Sequence, residues 1–128
     1  SWERTLVNEF LTQMEEFSGI LICTTNLKNI MDPAMQRRFH ILTEFKPLKK
    51  EGIEKLLSKF FSAYEFDSKS KEKLLRYDSV TPGDFGSLAC KIRFMEPSEI
   101  SSEIIIDDLC KIQEEKNNEN SKRIGFAC

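Results

Sequence analysis

Beyond Pro47 the apolar spacing of this chain is helical without interruption, and that limits its possible folds more than any other feature. Ile53, Leu56, Leu57, Phe60, Phe61 and Tyr64 form one stripe. Asp67 or Ser68 can cap a shorter helix reaching Tyr77, with Leu74 and Leu75 inward. Thr81-Pro82-Gly83-Asp84 reads as a capping box with proline at the first helical position. Phe85, Leu88, Ala89, Ile92 and Met95 follow at helical spacing. Pro97-Ser98 restarts the chain, and Ile100, Ile104, Ile105, Leu109 and Ile112 line a fourth helix to about Lys116. Asn117 to Ser121 reads as a polar loop, and Lys122 to Cys128 as a short tail.

The part before Pro47 reads differently. Leu6, Val7, Phe10, Leu11, Met14 and Phe17 mark an amphipathic helix over residues 4–17, ended by Ser18-Gly19. Ile20-Leu21-Ile22-Cys23-Thr24-Thr25 has no alternation and is rich in β-branched residues. It predicts a strand buried on both faces, as in a parallel α/β sheet. Asn26 to Ile30 is a loop, and Asp32-Pro33 opens a short helix carrying Arg37 and Arg38. His40 to Phe45 predicts a second strand, which Pro47 breaks. The expected fold is therefore an α/β remnant of two strands with helices over residues 1–47, a four-helix lobe over 48–116, and a tail over 117–128.

Composition removes several functional classes. Nineteen Lys and Arg against 21 Asp and Glu leave a formal charge of −2, with no global attraction to nucleic acid or an anionic membrane. No apolar run approaches a membrane span. Cys23, Cys90, Cys110 and Cys128 show no C-x-x-C spacing, and His40 is the one histidine, so a zinc site is not expected. Free thiols point to a reducing, cytoplasmic setting. His40 has no partner that would make it catalytic. The opening Ser1-Trp2-Glu3-Arg4 has neither an initiator Met nor a signal-peptide pattern, and reads as an entry mid-protein.

Residues 5–45 carry a resemblance. Val7 to Phe17 reads VNEFLTQMEEF, Ile20 to Asn26 reads ILICTTN, and Met31 to Phe39 reads MDPAMQRRF. This ordered three-part text resembles the second half of the core of AAA-type ATPases: a helix, a strand ending in Thr-Asn, then a paired-arginine segment. Thr81 to Phe85 resembles the Gly-Asp segment opening the third helix of that family's lid, and Arg123-Ile124-Gly125-Phe126 resembles the C-terminal end of some bacterial members.

The resemblance implies roles. Asn26 matches sensor 1, with Thr24 and Thr25 in support. An Asn amide donates and accepts, so it can hold a terminal phosphate and orient water. Arg37 and Arg38 match the paired arginines, one of which reaches a neighbouring subunit's phosphate as a trans finger. Such fingers speed hydrolysis by about three to five orders of magnitude. Arg37 is the closer match; the family separates its two arginines by two residues, whereas these are adjacent. Thr25, Gly83 and Asp84 fall at nucleotide-facing positions, Gly83 letting backbone approach the adenine or ribose. The expected parent is an ATPase using ATP and Mg2+, assembled as a homo-oligomeric ring and remodelling a protein or complex.

The chain has no G-x-x-x-x-G-K-[ST] and no apolar strand ending in Asp-Glu. As given, it is expected neither to bind nor to hydrolyse ATP, those parts lying upstream in the family. Without them its two predicted strands would expose unpaired edges, and the chain would dimerise through them or pair them differently. Rival readings are a clamp-loader or initiator type acting on nucleic acid, and a non-enzymatic helical interaction module.

Overall fold

The computed structural model describes residues 2–26 and 31–124, with side chains as far as Ser121. Residues 27–30 of the loop predicted over Asn26 to Ile30, and Gly125 and Phe126 of the family-like end, lie outside the described residues. The chain divides into two compact units, one ending at Glu44 and the other beginning at Phe45.

In the first unit, α1 spans Trp2–Glu16 and α2 spans Pro33–Gln36. α1 ends at Glu16, shortly before the Ser18-Gly19 pair. Asp32 caps α2, its Oδ1 accepting the Ala34 N–H at 2.8 Å, and Pro33 supplies the fixed φ of a first helical residue. Of the apolar residues on α1, Leu11 alone is buried.

Neither predicted strand forms, so the α/β expectation is corrected: the described residues are helices and irregular segments, with no sheet. Ile20–Thr25 and Ile41–Phe45 lack any ladder. A strand exists only through the backbone bonds of a partner, and two six-residue runs provide little to hold one another. Residues 20–24 make no backbone hydrogen bond among the described residues. Their β-prone side chains instead face solvent, with Ile20 90% and Ile22 82% exposed.

The second unit is a helical bundle. Helices α3 (Lys50–Phe60), α4 (Ser68–Leu75), α5 (Pro82–Ile92) and α6 (Ser102–Ile124) carry it, with a 3-10 turn at Pro97–Glu99. α3 packs on α5, while α4 and α5 both pack on α6. Ile53, Leu57, Phe61, Leu74, Val80, Phe85, Leu88, Ile105, Ile106 and Leu109 form one continuous core. Phe85 lies at its centre, its ring centroid 6.2 Å from that of Phe60 and 6.5 Å from that of Phe61. These are ordinary distances for tilted aromatic pairs. Asp67 caps α4 by accepting the Ser70 N–H at 2.8 Å. Leu48 N–H donates to the Val80 carbonyl at 2.7 Å, tying the entry of the bundle to the turn before α5.

α6 differs from expectation. It continues as helix through Ile124, where a loop was expected at 117–121. No Gly or Pro interrupts residues 102–124. Once the packed half of the helix is nucleated, each further polar residue adds a backbone bond at little cost.

Candidate functional site

Two places hold the residues singled out by sequence. The first is in the unit ending at Glu44. There the α2 turn presents two adjacent arginines to different surroundings. Arg38 is tied down: its Nε donates to Glu15 Oε1 at 2.7 Å, and its Nη1 donates to the Ala34 carbonyl at 2.8 Å. The Glu15 bond links the α2 turn to the last turn of α1. Both side chains remain substantially solvated, so the ion pair positions Arg38 more than it stabilises the fold. Arg37 is exposed, and its guanidinium has no partner among the described residues. One arginine of the pair is thus engaged within the unit, and the other is exposed with no partner among the described residues.

Asn26 is exposed at a bend. Thr25 lines an open cleft of about 600 Å³ together with Glu3, Arg4, Val7, Asn8, Met31, Asp32 and Met35. The structure brings Thr25 and Asp32 to this cleft; Asn26, Arg37 and Arg38 do not line it. Two carboxylates against one guanidinium make the lining net acidic, and no glycine-rich backbone cradle is present. These residues do not fit a nucleotide triphosphate with its magnesium. Nor does any group of His, Cys, Asp and Glu among the described residues converge in a way that could hold a metal ion.

The second place is the N-terminus of α5. Thr81 and Asp84 form the capping box there, with the Thr81 N–H donating to Asp84 Oδ2 at 2.9 Å. Asp84 is buried. Its Oδ2 also accepts from Gln113 Nε2 at 3.0 Å and from Lys116 Nζ at 2.7 Å, both on α6. Gln113 is fully buried, donates to the Leu109 carbonyl at 3.3 Å, and accepts from Ser79 Oγ at 2.9 Å. Lys116 Nζ donates in addition to the Ser79 carbonyl at 3.0 Å. Asp84, expected to face nucleotide, therefore spends its carboxylate clamping α5 to α6. Gly83 has ordinary backbone φ, and an added Cβ would meet only Thr81 Oγ1, at 3.8 Å. Neither conformation nor crowding in the chain itself requires a glycine at this position.

Sequence reading missed Gln113 and Lys116. The available signal was a glutamine on the buried stripe of α6, four residues after Leu109, where an apolar residue would be routine.

The clamp sets a pH dependence. Burial alone would raise the Asp84 pKa. The hydrogen bonds from Lys116, the Thr81 N–H and Gln113 outweigh it, so the pKa falls below the ordinary 3.8. A carboxyl with a depressed folded-state pKa stabilises the fold fully above its unfolded pKa, and that contribution is lost as pH falls through the folded value. Asp84→Ala is expected to cost about 2–3 kcal/mol at neutral pH, because it leaves Gln113 and Lys116 facing a lost acceptor. Urea titrations of both proteins should show that difference shrinking below pH 3.8 and constant between pH 5 and 8. A difference that does not change with pH would mean the carboxylate charge is not what holds α6.

The thiols of Cys23 and Cys90 are exposed, and Cys110 is half-buried, all three unpaired. Burial, followed by the charges of Asp107 and Glu114, pushes the Cys110 pKa up, which disfavours its thiolate. No helix among the described residues is long and apolar enough to cross a membrane. Comparison with protein-family models, with curated proteins and with solved structures gives no match for this chain.

Proposed function

We propose that this chain is the sensor, finger and lid portion of an AAA-type ATPase that couples ATP hydrolysis to remodelling of a protein or complex. The observation that carries the reading is the division of labour within the arginine pair. Arg38 is held by Glu15 and Ala34, while Arg37 stands exposed, its guanidinium unengaged among the described residues. An arginine acting in trans needs a fixed base and a free head, and this turn provides both. Asn26, exposed at its bend, is the sensor in the same reading. The helical bundle from Phe45 onward suits a lid.

In this reading the phosphate cradle and the magnesium-holding carboxylates come from residues that precede Ser1 in the same polypeptide. The chain's own cleft does not supply them. Neighbouring copies in a homo-oligomeric ring would receive Arg37. A second reading, a helical interaction module without enzymatic activity, is favoured by the all-helical architecture of the described residues.

Reading the gene upstream of the Ser1 codon separates the two. The ATPase reading expects an apolar strand ending in Asp-Glu on the order of ten to twenty residues before Ser1, and a Gly-Lys-Ser/Thr loop roughly fifty residues earlier. An upstream frame with neither motif would leave the interaction module.

A further inference from the structure

α6 is anchored along one stretch and unsupported along the next. Asp107 accepts from Lys73 Nζ at 3.4 Å, Asp108 from Lys91 Nζ at 2.8 Å, and Glu114 from the Tyr77 hydroxyl at 3.0 Å. Lys116 is the last of these anchors among the described residues. Its Nζ, on a side chain one third exposed, reaches Asp84 Oδ2 at 2.7 Å and the Ser79 carbonyl at 3.0 Å. Beyond it the helix runs on through Ile124. Residues 117–121 are all exposed, and the side-chain bond among them, Ser121 Oγ to the Asn118 carbonyl at 2.9 Å, stays within α6. The sequence makes this stretch dependent. Residues 117–124 include Asn117, Asn118, Asn120 and Ser121, all weak helix formers, and they carry no apolar stripe. Isolated helices shorter than about 12–15 residues are marginal in water even when alanine-rich. The order of this stretch therefore has to propagate from the residues before it.

We infer that the Asp84–Lys116 clamp is a latch that decides whether residues 117–124 are helical, making them an arm that orders and disorders without unfolding the bundle. Closed, the latch fixes the backbone at residue 116 and presents a formed turn, onto which each following residue adds one bond. Open, that turn frays back toward Gln113 and the arm loses its nucleus. Dependence runs one way. The core residues of α6, Ile105, Ile106 and Leu109, all lie before the latch, and none lies in the arm among the described residues. Opening is thus a local event of the kind that leaves a packed core in place. The latch does not depend on the ATPase reading.

Three variants of the full chain separate the latch from the bundle, with backbone carbon chemical shifts reporting helix residue by residue. Lys116→Met keeps the length and helix propensity of the side chain and removes its charge and donors. The helical population of residues 117–124 should fall by at least about half, while residues 102–112 stay helical. Lys116→Arg, which retains charge and donors, should keep the arm ordered. Asn118→Pro breaks the helix just past the latch. It should melt the arm and leave the thermal midpoint within about 2 °C of wild type. Helical shifts that persist over 117–124 in Lys116→Met would overturn the latch. So would helix loss spread evenly over 102–112 and 117–124, or a midpoint lowered as far by Asn118→Pro as by Lys116→Met, since either would make α6 one cooperative unit.

Discussion

Phe85→Ala is expected to remove about 3–5 kcal/mol from the stability of the helical unit. Phe85 is fully buried, and its ring meets Phe60 and Phe61 where α3 packs on α5. Truncation loses the transfer energy of a benzyl group and opens a cavity between two helices whose spacing the neighbouring aromatics and the α5–α6 clamp hold. A bundle of this size begins with few kcal/mol to spare, so the loss is a large part of the whole. Thermal melts followed by far-UV circular dichroism should show the midpoint falling by about 12 °C or more. A fall of only a few degrees would mean that Phe85 is not the centre of the core. Cys90→Ala, on the exposed side of the same helix, serves as the comparison and should leave the midpoint nearly unchanged.

Much of the bundle was legible because its contacts are local in sequence. The stripes containing Ile53, Leu57, Phe61, Leu74, Phe85, Leu88, Ile105 and Leu109 all turn inward. Val80 escaped because it sits between helices, where no periodicity marks it. The three isoleucines 104–106 show another limit. Spacing selects Ile104 and Ile105, yet Ile105 and Ile106 are buried and Ile104 is 38% exposed. Consecutive apolar residues do not reveal which face is inward; the packing of α6 on α4 and α5 decides it.

The two strands were misread for a different reason. Composition reports what residues 20–25 and 40–45 prefer, whereas a strand also needs a partner edge, and none is present among the described residues. At the arginine pair, sequence could mark both residues but not divide their roles. Arg38 is engaged by a glutamate 23 residues earlier, a contact that no local pattern encodes. At α5, the Thr81–Asp84 capping box was legible, and the partners that turn Asp84 inward were not, because they lie 29 and 32 residues away on α6.

The second large effect concerns Arg37. If the chain belongs to the proposed ATPase, Arg37→Ala in the full-length polypeptide is expected to lower ATP turnover by about three to five orders of magnitude. On that reading ATP affinity should change little, because the guanidinium would act on the neighbouring subunit's site and matter most as charge develops in the transition state. Arg37→Lys should recover little of the rate, since a single ammonium cannot reproduce a bidentate planar contact. Arg38→Ala should act more mildly, by loosening the α2 turn from α1.

In the proposed ATPase, Asn26 and Arg37 would serve one catalytic site from two different copies. Mixing two inactive variants of the intact polypeptide, Asn26→Ala and Arg37→Ala, tests it most directly. Where an Arg37→Ala subunit receives the arginine of an Asn26→Ala neighbour, both groups are restored at one interface. The mixture should hydrolyse ATP well above either variant alone. A mixture as inactive as its components, or single variants as active as the wild type, would contradict it.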